Sequence, residues 1–278
     1  MGSNASKENN KQNESAKQNP IIENTKSRYI LSKKNFLSLE MEDRKDEGLP
    51  PGAEEAIPIY NTKYKSKENC ICSINGNLLG TGFFCKIEFE GKLIPVLITN
   101  YHVVNDDFMN QNTKLTFYIK NDLHSINIDK DSKIYSSIRD EYDMMIIRLK
   151  EGEVNNYLKI DRNIFKYDSV NNYKNEGIYI LHYPMAEEAK VSKGKGLEKI
   201  NDYDIKHYCH TEPGSSGGPI LSKKTNKVIG IHKGSIGKGK CDYNIATFLK
   251  FPLNELKNQN KPKENGHKVS KNNNYYLI

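Results

Sequence analysis

Gly214-Ser215-Ser216-Gly217-Gly218-Pro219 sets three glycines and a proline around two serines. A cluster of this kind suits a tight, strained turn, because glycine reaches backbone angles closed to other residues. Such a turn can present a serine hydroxyl and aim neighbouring N–H groups at one point. Those are the needs of acyl transfer: an exposed nucleophile and a hole for the developing oxyanion. Ser216 is the candidate nucleophile, and the backbone N–H groups of Gly214 and Ser216 are the candidate oxyanion donors. The same text also suits a plain turn between two strands, so the reading depends on what lies around it.

Working outward, short runs rich in Ile, Val, Tyr and Phe flank the turn on both sides. They fall at 206–211, 219–222, 227–232 and 244–248, and earlier at 69–74, 82–89, 92–99, 114–120, 124–129, 133–137, 143–149 and 177–182. Turn residues such as Asn75-Gly76 and Glu90-Gly91 separate them. About a dozen short strands with few helical periods predict an all-β domain. A short turn or helix is expected after residue 102, and a terminal helix over 254–258, after Pro252. No internal repeat is visible.

A serine nucleophile needs a base, and the base needs a carboxylate that fixes its tautomer. His102 stands at the end of Leu97-Ile98-Thr99-Asn100-Tyr101-His102, where a strand gives it a rigid mount. Asp143 heads Asp143-Met144-Met145-Ile146-Ile147, an apolar run that draws it inward, and a buried carboxylate must have a partner. Taken singly, each also suits an ordinary structural role. Taken together, in the order His102, Asp143, Ser216, they form a constellation.

That constellation resembles the chymotrypsin-like (trypsin-like) serine proteases. Gly80-Thr81-Gly82-Phe83-Phe84 and the stretch ending in His102 are similar to their first barrel. Tyr142 to Ile147 is similar to their aspartate strand, and residues 214–219 to their nucleophile loop. The likeness covers about residues 65–256. It implies two six-stranded antiparallel β-barrels with an active site in the cleft between them, and a Ser-His-Asp triad of Ser216, His102 and Asp143. Two departures matter. Val103 follows the histidine where the digestive enzymes have a cysteine. Ser215 precedes the nucleophile where zymogen-type enzymes have an aspartate that pairs with a newly cut N-terminus. The expectation is that no N-terminal cleavage is needed to form the oxyanion hole.

Val228-Ile229-Gly230-Ile231-His232-Lys233-Gly234-Ser235 resembles the specificity strand of the glutamyl endopeptidase branch. The resemblance implies a pocket in which His232, Thr211 and Ser235 hold an acidic side chain, with Lys233 and Gly234 pairing to substrate backbone. Imidazole and hydroxyl donors can hold a carboxylate by charge-assisted bonds. His210 stands six before Ser216, where a trypsin-like preference would need an aspartate. The other reading of His232 is a packed strand histidine.

The domain is expected over residues 59–257, between a largely disordered extension at 1–58 and a polar tail at 258–278. Hydrophobic residues make up 36% of the 278-residue chain, below the roughly 45% usual for a soluble domain, as polar tails would cause. Residues 28–40 are rich enough in apolar side chains for a short docked element. No run approaches the roughly 18 apolar residues of a membrane helix, and no secretory signal is expected. Met1-Gly2-Ser3-Asn4-Ala5-Ser6 fits the N-myristoylation pattern, so Gly2 is a candidate acylation site giving weak, reversible attachment to a membrane surface. A chance match is the alternative. The five cysteines, an odd count, are expected to be reduced, buried thiols in a cytoplasmic setting, with Cys70 and Cys72 on one face of a strand. The net charge of +7 is spread along the chain and does not argue for nucleic acid. No metal or cofactor is called for. The expected partner is a protein or peptide substrate. The rival is a non-catalytic peptide-binding module of the same fold, or a lipid-anchored scaffold.

Overall fold

The computed structural model describes residues 49–260 except 175, 196 and 237–241. Gly2, Cys241, the possible element at 28–40 and most of both expected tails lie outside the described residues.

The chain begins with β1 (Ile57–Pro58) and two 3-10 turns, Ile59–Asn61 and Lys65–Cys70. β2 (Ile71–Asn75), β3 (Leu79–Phe89), β4 (Lys92–Thr99), α1 (Asp106–Gln111), β5 (Lys114–Ile119), β6 (Asp122–Asn127), β7 (Lys133–Ser137) and β8 (Met144–Arg148) follow. The second half holds α2 (Ser169–Tyr173), β9 (Ile178–His182), β10 (Lys190–Gly194), β11 (Glu198–Lys199) and β12 (Asp204–His207). It ends with β13 (Pro219–Ser222), β14 (Val228–Ile236), β15 (Tyr243–Phe248) and α3 (Lys250–Gln259).

Two antiparallel sheets result, in the order β6-β5-β2-β3-β4-β8-β7 and β1-β10-β9-β13-β14-β15-β12-β11. This is the chymotrypsin-like double-barrel fold. The strand counts are seven and eight. The second sheet reduces to six when its two-residue members β1 and β11 are set aside. The first has a seventh because the β5–β6 hairpin extends it. The N–H of His210 donates to Ser192 Oγ at 2.6 Å, which draws the chain after β12 toward β10.

β4 and β8 read as nearly unbroken apolar runs, and β3 holds a shorter one at Phe83-Phe84-Cys85, because alternate residues of each strand are buried on opposite faces. Met144 and Ile146 of β8, Val96 and Ile98 of β4, and Phe83 and Cys85 of β3 join a core shared with Ile180, Ile220, Ile231 and Phe248 of the second sheet. Their alternates Met145, Ile147, Leu97 and Phe84 enter a separate core with Phe117 and Leu115. These strands are buried on both faces, one inside the first barrel and one against the second. Each such side chain contributes about 1.5–3 kcal/mol by leaving water.

A linker ties the barrels. Leu158 N–H donates to Phe84 O at 2.8 Å, and Val228 N–H donates to Lys159 O at 2.9 Å. Cys85 thus bridges Leu158, and Val228 bridges Ile160, both in parallel.

Several expectations need correction. Cys70 closes a 3-10 turn instead of sharing a strand with Cys72, and the two thiols enter different cores. The terminal helix begins at Lys250, so Pro252 lies in its first turn, where the missing N–H is no loss. No described helix is long and apolar enough to cross a membrane.

Candidate active site

β4 delivers the chain to His102. Past Thr99, the amides of Val103 and Val104 both donate to Asn100 O, at 3.2 and 3.1 Å, turning the backbone at once. Val103, where a disulfide cysteine was noted as missing, is fully buried in the first-barrel core. Apolar packing holds this loop.

Asp143 lies just before β8, fully buried, with φ of 48°. Its two carboxylate oxygens divide their work. Oδ2 is 2.7 Å from His102 Nδ1, and Oδ1 accepts the backbone N–H of His102 at 3.1 Å. The carboxylate therefore fixes both the ring and the chain that carries it. An ionised carboxylate accepts only, so Nδ1 holds the ring proton and Nε2 is the basic nitrogen.

The turn before Asp143 is gripped from several elements. Tyr203 O–H donates to Asp140 O at 3.3 Å, Lys233 Nζ to Glu141 O at 2.6 Å, and Thr247 Oγ1 to Tyr142 O at 2.8 Å. Asn100 Nδ2 donates to Asp143 O at 2.8 Å. Four consecutive carbonyls thus accept side-chain donors, three of them from the opposite barrel. Such a cradle offsets the strain of a non-glycine residue in the left-handed region.

Ser216 stands in the expected turn. Gly214 and Gly217 have φ of 92° and 87°, and a Cβ on Gly217 would collide with Thr81 O. The amides of Ser215, Gly217 and Gly218 donate to Glu212 O, His232 O and Ser215 O. Thr81 binds the turn twice, its N–H to Ser216 O at 2.7 Å and its hydroxyl to Gly214 O at 2.8 Å. At Gly80, a Cβ would touch Val103 on one side and lie 3.1 Å from Ser216 O. One residue of β3 thus separates the backbone of Ser216 from the neighbour of His102. The three residues singled out in sequence converge on the junction of the barrels.

The specificity candidates are also brought together. His232 and Thr211 are fully buried. Cys209 N–H donates to His207 Nδ1 at 3.4 Å, and His207 Nε2 lies 3.0 Å from His232 Nδ1. Followed outward, this chain of donors leaves His232 with its proton on Nε2. Burial holds His207 neutral, pushing it down to about 3. Thr211 O–H donates to Asn244 Oδ1 at 2.9 Å, and Asn244 Nδ2 donates to Cys209 O at 2.6 Å. The Thr211 proton is therefore committed within the protein. Ser235 pairs with Asn244 across β14 and β15. A bulge between His232 and Gly234 leaves Lys233 without a strand partner, and its side chain turns away to Glu141 O and to Asp204 Oδ1 at 3.3 Å.

His207, Asn244 and His182 were not singled out from sequence as site residues. The signal for the first two was a polar residue at an inward position of an alternating strand, Ile205-Lys206-His207 and Asn244-Ile245-Ala246.

Solved structures share this architecture. The Rv3671c protease of M. tuberculosis, in an inactive form, is 15% identical with a TM-score of 0.52, over 75% of this chain and 98% of that one. The serine endoprotease of Yersinia pestis is 14% identical with a TM-score of 0.51, over 71% of this chain and 66% of that one. At this identity the likeness shows the fold. Residues 80–231, more than half of the chain, match the family described as "Trypsin-like peptidase domain". With the double barrel in place and that match running from the Gly80 strand to Ile231, the chain belongs to the trypsin-like peptidase family.

Proposed function

We propose that this chain is a serine endopeptidase working through Ser216, His102 and Asp143. The observation that carries the reading is the buried Asp143–His102 pair, 2.7 Å apart, whose tautomer leaves Nε2 basic. Ser216 Oγ attacks the scissile carbonyl while His102 Nε2 takes its proton. The tetrahedral oxyanion is assigned to the N–H groups of Gly214 and Ser216, on the tight turn that carries the nucleophile, where Gly214 has a φ of 92°. Collapse expels the amine, which takes the proton from His102, and leaves an acyl-enzyme on Ser216. Water then repeats the cycle, with His102 again as base.

Substrate binding by strand addition suits the same site. β13 pairs with β14 only as far as Ile231, and no described strand continues on that side of Lys233, Gly234 and Ser235. That edge begins where the nucleophile turn ends. For the residue before the scissile bond we favour an acidic side chain. His232 Nε2–H and the Ser235 hydroxyl are the donors that support this, while Thr211 shapes the site without giving its proton.

Hydrolysis of a fluorogenic peptide library by wild type beside Ser216→Ala tests both parts. Serine-dependent cleavage after Glu or Asp is expected. Serine-dependent cleavage elsewhere removes the acidic preference. No cleavage, with Ser216 inert to serine-directed phosphonates, replaces the reading with a peptide-binding module.

A further inference from the structure

We infer that His182 is a positioning residue for the oxyanion turn, acting through Ser215 to lock residues 212–216 without any cut chain end. The inference rests on the proposed role of Ser216.

Ser215 is fully buried beside the nucleophile. Its Oγ lies 2.7 Å from His182 Nδ1 and accepts the N–H of Glu212 at 3.0 Å. The Glu212 N–H fills one lone pair of that oxygen and leaves its proton to place; we assign the Ser215 hydroxyl as donor to Nδ1, which puts the imidazole proton on Nε2. Burial pushes His182 down to about 3, and the Lys190 cation nearby acts in the same direction. Nδ1 therefore stays an acceptor throughout the neutral range.

His182 ends β9, where it pairs with Lys190 of β10. The chain that follows is strained. Met185 and Ala186 have φ of 54° and 51°, two successive non-glycine residues in the left-handed region. The strained turn points its groups at residues 213–215. Met185 N–H donates to Pro213 O at 2.6 Å. Tyr183 N–H donates to Thr81 Oγ1 at 3.0 Å, and that hydroxyl donates on to Gly214 O. Pro213, Gly214 and Ser215 are thus each held by the segment His182–Met185, directly or through Thr81. None of these anchors is a chain terminus. A bond between two neutral side chains stands where zymogen-type relatives would need a buried ion pair completed by cleavage.

The test uses the full chain with Ser215→Ala, His182→Leu and His182→Asn. An asparagine amide oxygen reaches the place of Nδ1 and accepts the same hydroxyl. Two readouts are taken: kcat and KM on a peptide that wild type cleaves, and hydrogen–deuterium exchange over residues 212–219. Ser215→Ala and His182→Leu should lower kcat by about 10- to 100-fold with KM within about twofold. Exchange should quicken over 212–219 and stay unchanged in β2–β8, and His182→Asn should restore most of both. Wild-type kcat and exchange in a folded Ser215→Ala overturn the inference. So does faster exchange spread over the whole domain, which marks a general packing role. Ser215→Ala removes one oxygen and keeps the test usable if His182→Leu does not fold. The exchange readout needs no turnover: local loosening in a chain that cleaves nothing keeps the buttress and removes the peptidase reading.

Discussion

Lowering the pH from 7 to 5 acts on two residues that the fold has committed to neutrality. His182 and His207 are fully buried, and each is pushed by burial from an ordinary value of 6.5 to about 3. In the unfolded chain both take up a proton near pH 6.5; in the folded chain neither does until about pH 3. Between those limits the unfolded state binds more protons, so stability falls as pH falls. From pH 7 to 5 each histidine should lose about 2 kcal/mol, or about 4 kcal/mol together. Against a typical stability of about 5–15 kcal/mol that is a large share, and it corresponds to a Tm lower by about 8–16 °C for a domain of this size. His210 acts in the same direction but more weakly, being half-buried, with Lys190 aiding burial and Glu212 and Glu55 opposing it. Asp161, raised by burial but carried lower overall by hydrogen bonds from Asn163 and Thr225, stays ionised across this window. Calorimetry at pH 7, 6 and 5 on wild type, His182→Asn and His207→Gln reads the effect. Each substitution should remove about half of the pH slope. A wild-type Tm that holds from pH 7 to 5, or a slope that survives both substitutions, refutes the reasoning.

Asp143→Asn removes the acceptor that fixes the His102 tautomer, and kcat should fall by about four orders of magnitude with KM little changed in steady-state kinetics. Gly217→Ala drives a Cβ into Thr81 O and to 2.6 Å from Thr99 Oγ1 at a φ of 87°. Urea unfolding should show a loss of at least about 2 kcal/mol. Lys233→Met strips the cation from Glu141 O and Asp204. It should lower stability by about 1–3 kcal/mol and reduce kcat, with Lys233→Arg recovering part of both.

Three strands were legible to the residue: 92–99, 133–137 and 219–222 match β4, β7 and β13. β10 was missed because Lys190-Val191-Ser192-Lys193-Gly194 has one apolar side chain, and its pairing with β9 makes it a strand. The run proposed at 206–211 ends at His207, since the chain from Tyr208 on is committed to side-chain contacts such as Asn244 with Cys209 O. For the site, His102, Asp143 and Ser216 could be picked out because each stands in text that suits its task. His182 could not. It reads as the last residue of an apolar strand, and its partner Ser215 looked notable only for what it was not. Lys233 followed the opposite course. Its place in the specificity strand implied a backbone that pairs with substrate and left the side chain open; a one-residue bulge, invisible in sequence, sends that side chain to Glu141.

The linker bridges Cys85 of the first half at Leu158 and is anchored to its own half where Ile160 meets Val228, so the second half carries a fitting for the first. The exposed turn at Gly152 lies just before it. A nick there would leave the second fragment with an overhang, residues 153–161, whose backbone already matches an edge on the first. The two pieces would then behave as a plug and socket, reassembling on mixing. A single cut at this turn would therefore leave a complementing pair in place of a dead enzyme.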